Sequence, residues 1–198
     1  MKIGVVLGST RPGRLGERVS KFVVKTATAV SGACFEVFDL ASYEMPFFNE
    51  EIGPWTNGGR TPAPNVARWL SDMQSADGYV FIAPEYNFAA PAVLKNALDF
   101  LAHEADGKPA SIISYSNTAF GGVIAGHQLQ LLLNKLGMLV MPRSIPLVHV
   151  ETMLNEDGEA SEQSGMAGKI ARHLPLNLIR LVKYATAIRE VRLGSQAG

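Results

Sequence analysis

The sequence of 198 residues is short of cysteine and has no excess of charge of either sign. Its one cysteine, Cys34, can form neither an internal disulfide nor a cysteine-based metal site, so a reducing cytoplasm is the expected compartment. The 18 basic and 18 acidic side chains give a formal net charge of zero. Because proteins that bind nucleic acid normally carry a basic excess, nucleic acid is not an expected partner.

Long hydrophobic runs are also missing. No stretch reaches the roughly 18 apolar residues that a membrane-spanning helix needs. The apolar run that follows Met1 is too short for a signal peptide. With 47% hydrophobic and 18% charged residues, the composition is that of a globular protein. We therefore expect one cytoplasmic domain over residues 1–198, with no membrane among its partners.

Short apolar runs alternate with longer amphipathic ones along the chain, which predicts alternating strands and helices. The predicted strands are 2–7, 34–38, 78–83, 110–115 and 138–141. The predicted helices are 15–30, 63–75, 92–101, 123–136 and a last one within 166–191, which Pro175 is expected to kink or restart. Strands that are apolar throughout indicate a parallel sheet covered on both faces. The predicted fold class is therefore α/β, a three-layer, doubly wound, five-stranded parallel sheet.

The loop after the first strand has the chemistry of a phosphate cradle. Gly8-Ser9-Thr10-Arg11-Pro12-Gly13-Arg14-Leu15-Gly16 combines glycines, hydroxyls, two guanidiniums and the start of a helix. It is not a Walker A loop, because Arg14-Leu15 stands where Lys-Ser/Thr is required, and it lacks the Gly-x-Gly-x-x-Gly fingerprint. Without that fingerprint, Asp39 is predicted to cap a loop rather than bind a ribose. The alternative for this segment is a turn with solvated arginines.

Two further loops follow strands of the predicted sheet, and ligands of such sheets bind at the carboxyl ends of the strands. In Pro84-Glu85-Tyr86-Asn87-Phe88-Ala89-Ala90-Pro91, two prolines bracket polar groups and two aromatic rings. A planar heterocycle could lie against this loop, and a rigid turn leading into a helix is the alternative. Ser114-Tyr115-Ser116-Asn117-Thr118-Ala119-Phe120-Gly121-Gly122 offers hydroxyls and two glycines that permit close backbone approach.

Several other reactive or aromatic side chains have simpler interpretations. Cys34, beside Phe35 in a strand, is predicted to be a buried packing residue rather than a nucleophile. Lys95 and Asp99 are four residues apart on a helix and are predicted to pair. None of the four histidines has metal-ligand spacing: His103, His127, His149 and His173. Three aromatic residues of the irregular segment 41–62 form a lid, a subunit contact or a small apolar cluster: Phe47, Phe48 and Trp55.

In order and spacing these motifs resemble a known family. Gly8-Ser9-Thr10-Arg11, Pro84-Glu85-Tyr86-Asn87 followed by Leu94-Lys95-Asn96-Ala97-Leu98-Asp99, and Gly121-Gly122 before Gln128-Leu129 look like the NAD(P)H-dependent FMN reductases. That flavodoxin-like family includes quinone, azo-dye and chromate reductases. The resemblance covers residue 2 to about residue 150.

The resemblance implies an FMN-binding domain that takes hydride from NADPH or NADH and passes electrons to a small acceptor, such as a quinone, an azo compound, a metal ion or free flavin. It implies no protein general acid, no metal, and assembly as a homodimer or homotetramer. The implied phosphate-binding residues are Ser9, Arg11, Arg14, Leu15 and Gly16. The implied contacts of the flavin ring are Pro84, Glu85, Tyr86 and Asn87 on one side and Ser116, Asn117, Thr118 and Gly121 on the other.

Two other functions stay open at this point. A non-enzymatic, flavodoxin-type electron carrier would use the same fold and cofactor, but such carriers usually combine a hydroxyl-rich phosphate loop with strong acidity. This chain has Arg11 in that loop and no net charge. A phosphate- or nucleotide-binding module without redox activity is the other alternative, because the first loop comes close to the Walker pattern.

Overall fold

The computed structural model describes residues 1–56, 59–161 and 165–194. Its strands are β1 (Lys2–Leu7), β2 (Cys34–Asp39), β3 (Gly78–Pro84), β4 (Pro109–Tyr115), β5 (Leu139–Val140) and β6 (Ile145–Leu147). Its helices are α1 (Gly16–Ala27), α2 (Pro64–Ser75), α3 (Ala92–Asp99), α4 (Val123–Lys135), α5 (Val150–Met153) and α6 (Gly165–Gly194), and a 3₁₀ turn covers Leu40–Ser42. The predicted alternation of strands and helices is confirmed. None of the helices in these ranges is long and apolar enough to cross a membrane.

The strands form one parallel sheet in the order β2-β1-β3-β4-β5. That order is the flavodoxin-like arrangement of a doubly wound sheet, so the predicted fold class is confirmed. The fifth position is divided: β5 pairs with the start of β4, and β6 pairs with its end. The predicted strand 138–141 is therefore shorter than expected, and pairing resumes at Ile145, beyond Pro142, which has no N–H to donate to a ladder.

Two apolar cores lie on the two faces of the sheet. Successive side chains of a strand point to opposite faces, so Val5 belongs to the core that includes α1 and α6, and Val6 to the core that includes α2, α3 and α4. Every residue of β3 and β4 is buried, because both strands are covered on both faces. This burial accounts for the continuous apolar runs that predicted them.

Two local predictions differ from the structure. Cys34 is exposed, and the prediction that it is buried is wrong, because β2 is an edge strand that packs only part of its length into the core. Helix α6 runs through Pro175 without ending there, so of the two predicted effects of this proline the restart is wrong, and the kink stays a prediction. The predicted pairing of Lys95 with Asp99 is confirmed, with Nζ 2.5 Å from Oδ1.

The long segment after β2 is anchored to α3 by Asn96. The Asn96 side chain accepts a hydrogen bond from the N–H of Phe48 (2.8 Å) and donates one to the carbonyl of Pro46 (2.7 Å). The Phe48 ring meets Phe100 edge-to-face at 5.2 Å, which places it in an apolar cluster, whereas Phe47 is 80% exposed. Asn96 therefore sets the position of this segment.

Candidate active site

A cavity of about 440 Å³ opens at the carboxyl ends of β1, β3 and β4. This is the place and the size expected of a small-molecule site in a doubly wound sheet. The loops after these three strands meet there, as the sequence predicted. Nine of the thirteen predicted residues line the cavity: Arg11, Arg14, Leu15, Pro84, Glu85, Tyr86, Ser116, Asn117 and Thr118.

Arg11 presents its charge at the surface of the cavity. The guanidinium carbon lies 5.7 Å from the centre of the Tyr86 ring, within the range of a cation–π contact. Within the described ranges this guanidinium has no carboxylate partner. Arg11 is therefore held in place by an aromatic face and keeps its donors for an anion.

Arg14 is engaged inside the protein instead. Its side chain is 7% exposed, and Nη2 lies 2.6 Å from Oδ2 of Asp39, while Nε lies 3.1 Å from Oε1 of Glu17. A third donor, Nη1, bonds the carbonyl of Ser9. Burial by itself lowers the pKa of Arg14, but the hydrogen bonds and charges of Asp39 and Glu17 outweigh it and raise the pKa. Arg14 thus fixes the shape of the first loop, and Asp39 also caps the next turn through the N–H of Ala41, as predicted.

Ser9 and Gly16 lie beneath the cavity wall rather than on it. The buried Ser9 hydroxyl is 2.7 Å from the Tyr86 hydroxyl and so ties the first loop to the third-strand loop. At Gly16, a Cβ atom would lie 2.6 Å from the Tyr115 hydroxyl and 2.7 Å from Cδ1 of Leu7. Only glycine lets α1 begin this close to the strand ends.

The third-strand loop is a tight turn. Tyr86 and Ala89 exchange two main-chain hydrogen bonds of 2.9 and 3.0 Å, and the two residues between them, Asn87 and Phe88, have φ values of 50° and 62°. Two successive positive φ values are the signature of a type I′ turn, and a phenylalanine there is uncommon. Asn87, predicted to contact the flavin ring, lies exposed at the tip of this turn and does not line the cavity.

Glu85 lines the cavity, and its carboxylate bonds the start of a helix. Oε2 accepts hydrogen bonds from the N–H groups of Ile124 (3.0 Å) and Ala125 (3.1 Å) in the first turn of α4. An acid at a helix N-terminus satisfies donors that have no partner within the helix and complements the helix dipole. The Glu85 N–H donates to the carbonyl of Tyr115 at 3.2 Å.

The loop after β4 is closed by Glu151, which the sequence reasoning missed. Asn117 donates to Oε2 of Glu151 (2.9 Å) and accepts from the Glu151 N–H (3.1 Å). Ser116 and Thr118 join their hydroxyls at 2.9 Å. Gly121, with φ of 61°, packs against β6 outside the cavity, where a Cβ atom would lie 3.0 Å from Cβ of Pro146. Glu151 follows the interrupted fifth strand, and its position at a strand end is the signal that could have found it.

Gly13 and Tyr115 also line the cavity and were not predicted to do so. The buried Tyr115 hydroxyl lies against Gly16 and has no hydrogen-bond partner of normal geometry within 1–56, 59–161 and 165–194. Burial raises the pKa of Tyr115, and the neighbouring Tyr86 raises it further, so this hydroxyl stays protonated at neutral pH. In the same ranges, no group of three or more His, Cys, Asp or Glu side chains could hold a metal ion.

Comparison with known proteins identifies the family of this chain. The sequence model of the NADPH-dependent FMN reductase family matches residues 1–152. An NAD(P)H-dependent FMN reductase of Schizosaccharomyces pombe is 35% identical over 141 residues, which cover 71% of this chain and 70% of the relative. A quinone reductase of Escherichia coli (strain K12) is 31% identical over 147 residues, which cover 71% of this chain and 73% of the relative.

Among solved structures, the flavoenzyme NAD(P)H:(acceptor) oxidoreductase FerB from Paracoccus denitrificans superposes with a TM-score of 0.73. The superposition covers 94% of this chain and 97% of FerB at 24% sequence identity, which supports the fold. The family match confirms the predicted enzyme class, an FMN-dependent NAD(P)H oxidoreductase. The chain belongs to the NADPH-dependent FMN reductase family.

Proposed function

We propose that the strand-end cavity holds FMN with its phosphate at Arg11 and its ring system against the main chain of 84–86 and 116–118, and that the enzyme reduces a small acceptor of the quinone type. The observation that carries this proposal is the guanidinium of Arg11, which has no ion pair within the described residues and lies beside the start of α1. A cation and a helix N-terminus at one place favour a phosphate dianion.

The donors around the phosphate position suit a dianion without a metal. The first turn of α1, from Gly16, carries main-chain N–H groups that have no partner within the helix. Arg14 does not reach the anion in this proposal but holds the first loop open through Asp39 and the Ser9 carbonyl. The buried Tyr115 hydroxyl lies beneath Gly16, against the start of α1.

The residues at the proposed ring position are of two kinds. Pro84 and Tyr86 form one wall, and the side chains of Ser116, Asn117 and Thr118 form a polar edge. FMN held by these residues would supply the hydride and electron transfer between the nicotinamide and the acceptor. The protein's part is to hold the ring edge, and to keep one face accessible to both reactants in turn.

The same proposal includes one FMN-binding domain over residues 1–198, in the cytoplasm, that assembles as a homodimer or homotetramer. Two large apolar side chains on loops that border the cavity, Phe88 and Phe120, are 68% and 73% exposed. Exposed apolar groups of this size beside a site are typical of a surface covered by another subunit. Light scattering of the purified protein tests the assembly, and a monomer at micromolar concentration would contradict it.

An absorption experiment tests the cofactor and the reaction together. Purified protein is mixed with FMN, desalted, and then given NADPH or NADH without oxygen, followed by a free quinone. We expect retained yellow colour that bleaches with the nicotinamide nucleotide and returns with the quinone. Colour that is retained but does not bleach would indicate an electron carrier, and failure to retain or bind FMN would indicate a phosphate-binding module without redox activity.

A further inference from the structure

A second cavity, of about 490 Å³, lies between β6 and α6 and borders a smaller one of about 290 Å³. The two share Arg143, Asn177 and Arg180 in their walls and have no lining residue in common with the strand-end cavity. Pro146, which lines the larger cavity, packs against Gly121 of the loop that borders the strand-end cavity. We call the two together the β6–α6 cleft.

The β6–α6 cleft is lined by cations without acids. Arg143, Lys169 and Arg180 line it together with His173, and no Asp or Glu of residues 1–56, 59–161 and 165–194 belongs to its wall. In the part of the chain that the structure describes, none of the three basic side chains forms an ion pair. Helix α6 carries six Lys or Arg and one Glu in a chain whose formal net charge is zero. Two of these six cations, Lys169 and Arg180, face the cleft together with Arg143.

The polar groups of the β6–α6 cleft are arranged on one face of α6. Lys169, His173, Asn177 and Arg180 recur every three or four residues, the spacing that aligns side chains along a helix. The buried Ser111 hydroxyl hydrogen-bonds Oδ1 of Asn177 at 2.7 Å. Because Ser111 supplies a donor to that oxygen, the Nδ2 group of Asn177 is left as a donor toward the cleft.

The remaining wall of the larger cavity is apolar. It consists of Ile145, Pro146, Ile170 and Leu176, and Leu176 is about half exposed. A simple inorganic anion would not contact these apolar side chains, and an apolar ligand would not neutralise the three cations. A ligand with clustered negative charge and a flat apolar part would satisfy both.

We propose that the β6–α6 cleft binds an organic phosphate of the nucleotide class. The phosphates lie between Arg143 and Arg180, which belong to both cavities, and the base lies on the apolar wall of Ile170 and Leu176. Guanidinium groups bind phosphates in bidentate fashion, and Lys169 adds a further charge. The nucleotide is either a separate molecule or the phosphate-bearing end of the nicotinamide substrate.

Calorimetric titration of the full-length, FMN-loaded protein tests the proposal, with ADP, pyrophosphate and adenosine as probes. We expect ADP to bind at one site per chain and pyrophosphate and adenosine each to bind about tenfold or more weakly, since each lacks one half of the ligand. Arg180→Glu should weaken ADP binding about tenfold or more. Arg172→Glu is the matched control, because it makes the same change of charge on the same helix. Arg172 bonds the carbonyl of Gly168 and lies outside the cleft.

The proposal is overturned if ADP does not bind, or if Arg172→Glu and Arg180→Glu lose the same affinity for ADP. It is also overturned if Arg180→Glu no longer responds to ADP and light scattering shows that this variant has dissociated. That last result would show that a second subunit covers the cleft. FMN titration of each variant keeps this result separate from the proposed cofactor site, whose affinity should not change. The KM for NADPH then identifies the source of the nucleotide. A raised KM in Arg180→Glu assigns the cleft to the nicotinamide substrate, and an unchanged KM assigns it to a separate nucleotide.

Discussion

Both ends of the parallel sheet bury a cation, and the two cations have different surroundings. At the amino ends of the strands, Lys108 is 1% exposed and its Nζ donates to the carbonyls of Met73 (3.0 Å) and Gln74 (2.8 Å). At the carboxyl ends, Arg14 is held by carboxylates, and its neighbour Arg11 faces the cavity with no ion pair in the described ranges.

The difference separates what stabilises the fold from what binds a ligand. Met73 and Gln74 lie in the last turn of α2, whose carbonyls have no partner within the helix, and the Lys108 ammonium satisfies them. At the other end, Arg11 and the Tyr115 hydroxyl are left with hydrogen-bonding capacity beside a cavity. Substitutions at the amino end should therefore change stability alone, and those at the carboxyl end should change FMN binding.

The largest effect is expected for Arg11→Ala. Losing a charge-assisted contact with the FMN phosphate should weaken FMN binding by about 2–5 kcal/mol, or about 30-fold to 4,000-fold. The free energy of unfolding without FMN should change little, because Arg11 is exposed. Flavin fluorescence titration measures the affinity. Arg68→Ala is the control, since Arg68 also lies over a tyrosine ring, at 4.5 Å from Tyr43, but away from the cavity. An unchanged FMN affinity in Arg11→Ala would remove Arg11 from the site.

Arg14→Met should lower both the folding stability and the affinity for FMN. It removes three hydrogen bonds of the first loop, two of them to carboxylates, and we expect a loss of about 1–3 kcal/mol of folding stability together with weaker FMN binding. Urea unfolding with and without FMN separates the two effects. Asp39→Asn, alone and combined with Arg14→Met, should be non-additive in stability because the two side chains act as one unit. Weaker FMN binding with unchanged stability would instead make Arg14 a direct phosphate ligand.

Lys108 should make stability rise with pH. Burial, together with the charge of Arg192, lowers the pKa of Lys108 to about 8, whereas an unfolded lysine titrates at about 10.4. Between these values the unfolded state binds more protons, so the free energy of unfolding increases as pH rises through this window. From pH 8 to pH 9.5 we expect a gain of about 1–2 kcal/mol relative to Lys108→Met, measured by urea unfolding. FMN affinity should be equal in the two proteins, and parallel pH profiles would show that the amine does not titrate in this range.

The sequence predicted the sheet and the meeting of its three loops because both follow from local pattern and topology. Residues 78–83 are apolar without interruption, and the carboxyl ends of neighbouring parallel strands share one edge. The exposure of Cys34 could not be predicted, because a short apolar run looks the same in an edge strand and a central one.

The roles of single site residues depend on partners distant in the chain. Arg14 was predicted to bind phosphate from its place in the loop, but Asp39, 25 residues later, takes up its guanidinium. Glu85 was predicted to contact the ring, but its carboxylate reaches α4, 40 residues away at Ala125. Such pairings are tertiary, and no spacing rule in the loop itself contains them. The residue types in the loops therefore predicted where the cavity lies, whereas tertiary contacts determine which side chains face it.

The smallest effect is expected for Glu151→Gln, at a residue that lines the same cavity as Arg11. Its carboxylate lies on the cavity surface and is exposed, so it should repel an anionic acceptor only weakly. We expect kcat/KM for a sulfonated quinone to rise by about twofold to fivefold at low salt, with little change for a neutral quinone, because screened surface charges act over about a Debye length. Glu159→Gln, an exposed acid outside the cavity, should change neither. If kcat/KM for both quinones in Glu151→Gln equals that of the unaltered protein, the Glu151 charge does not act on the acceptor, and Glu151 serves only to hold Asn117.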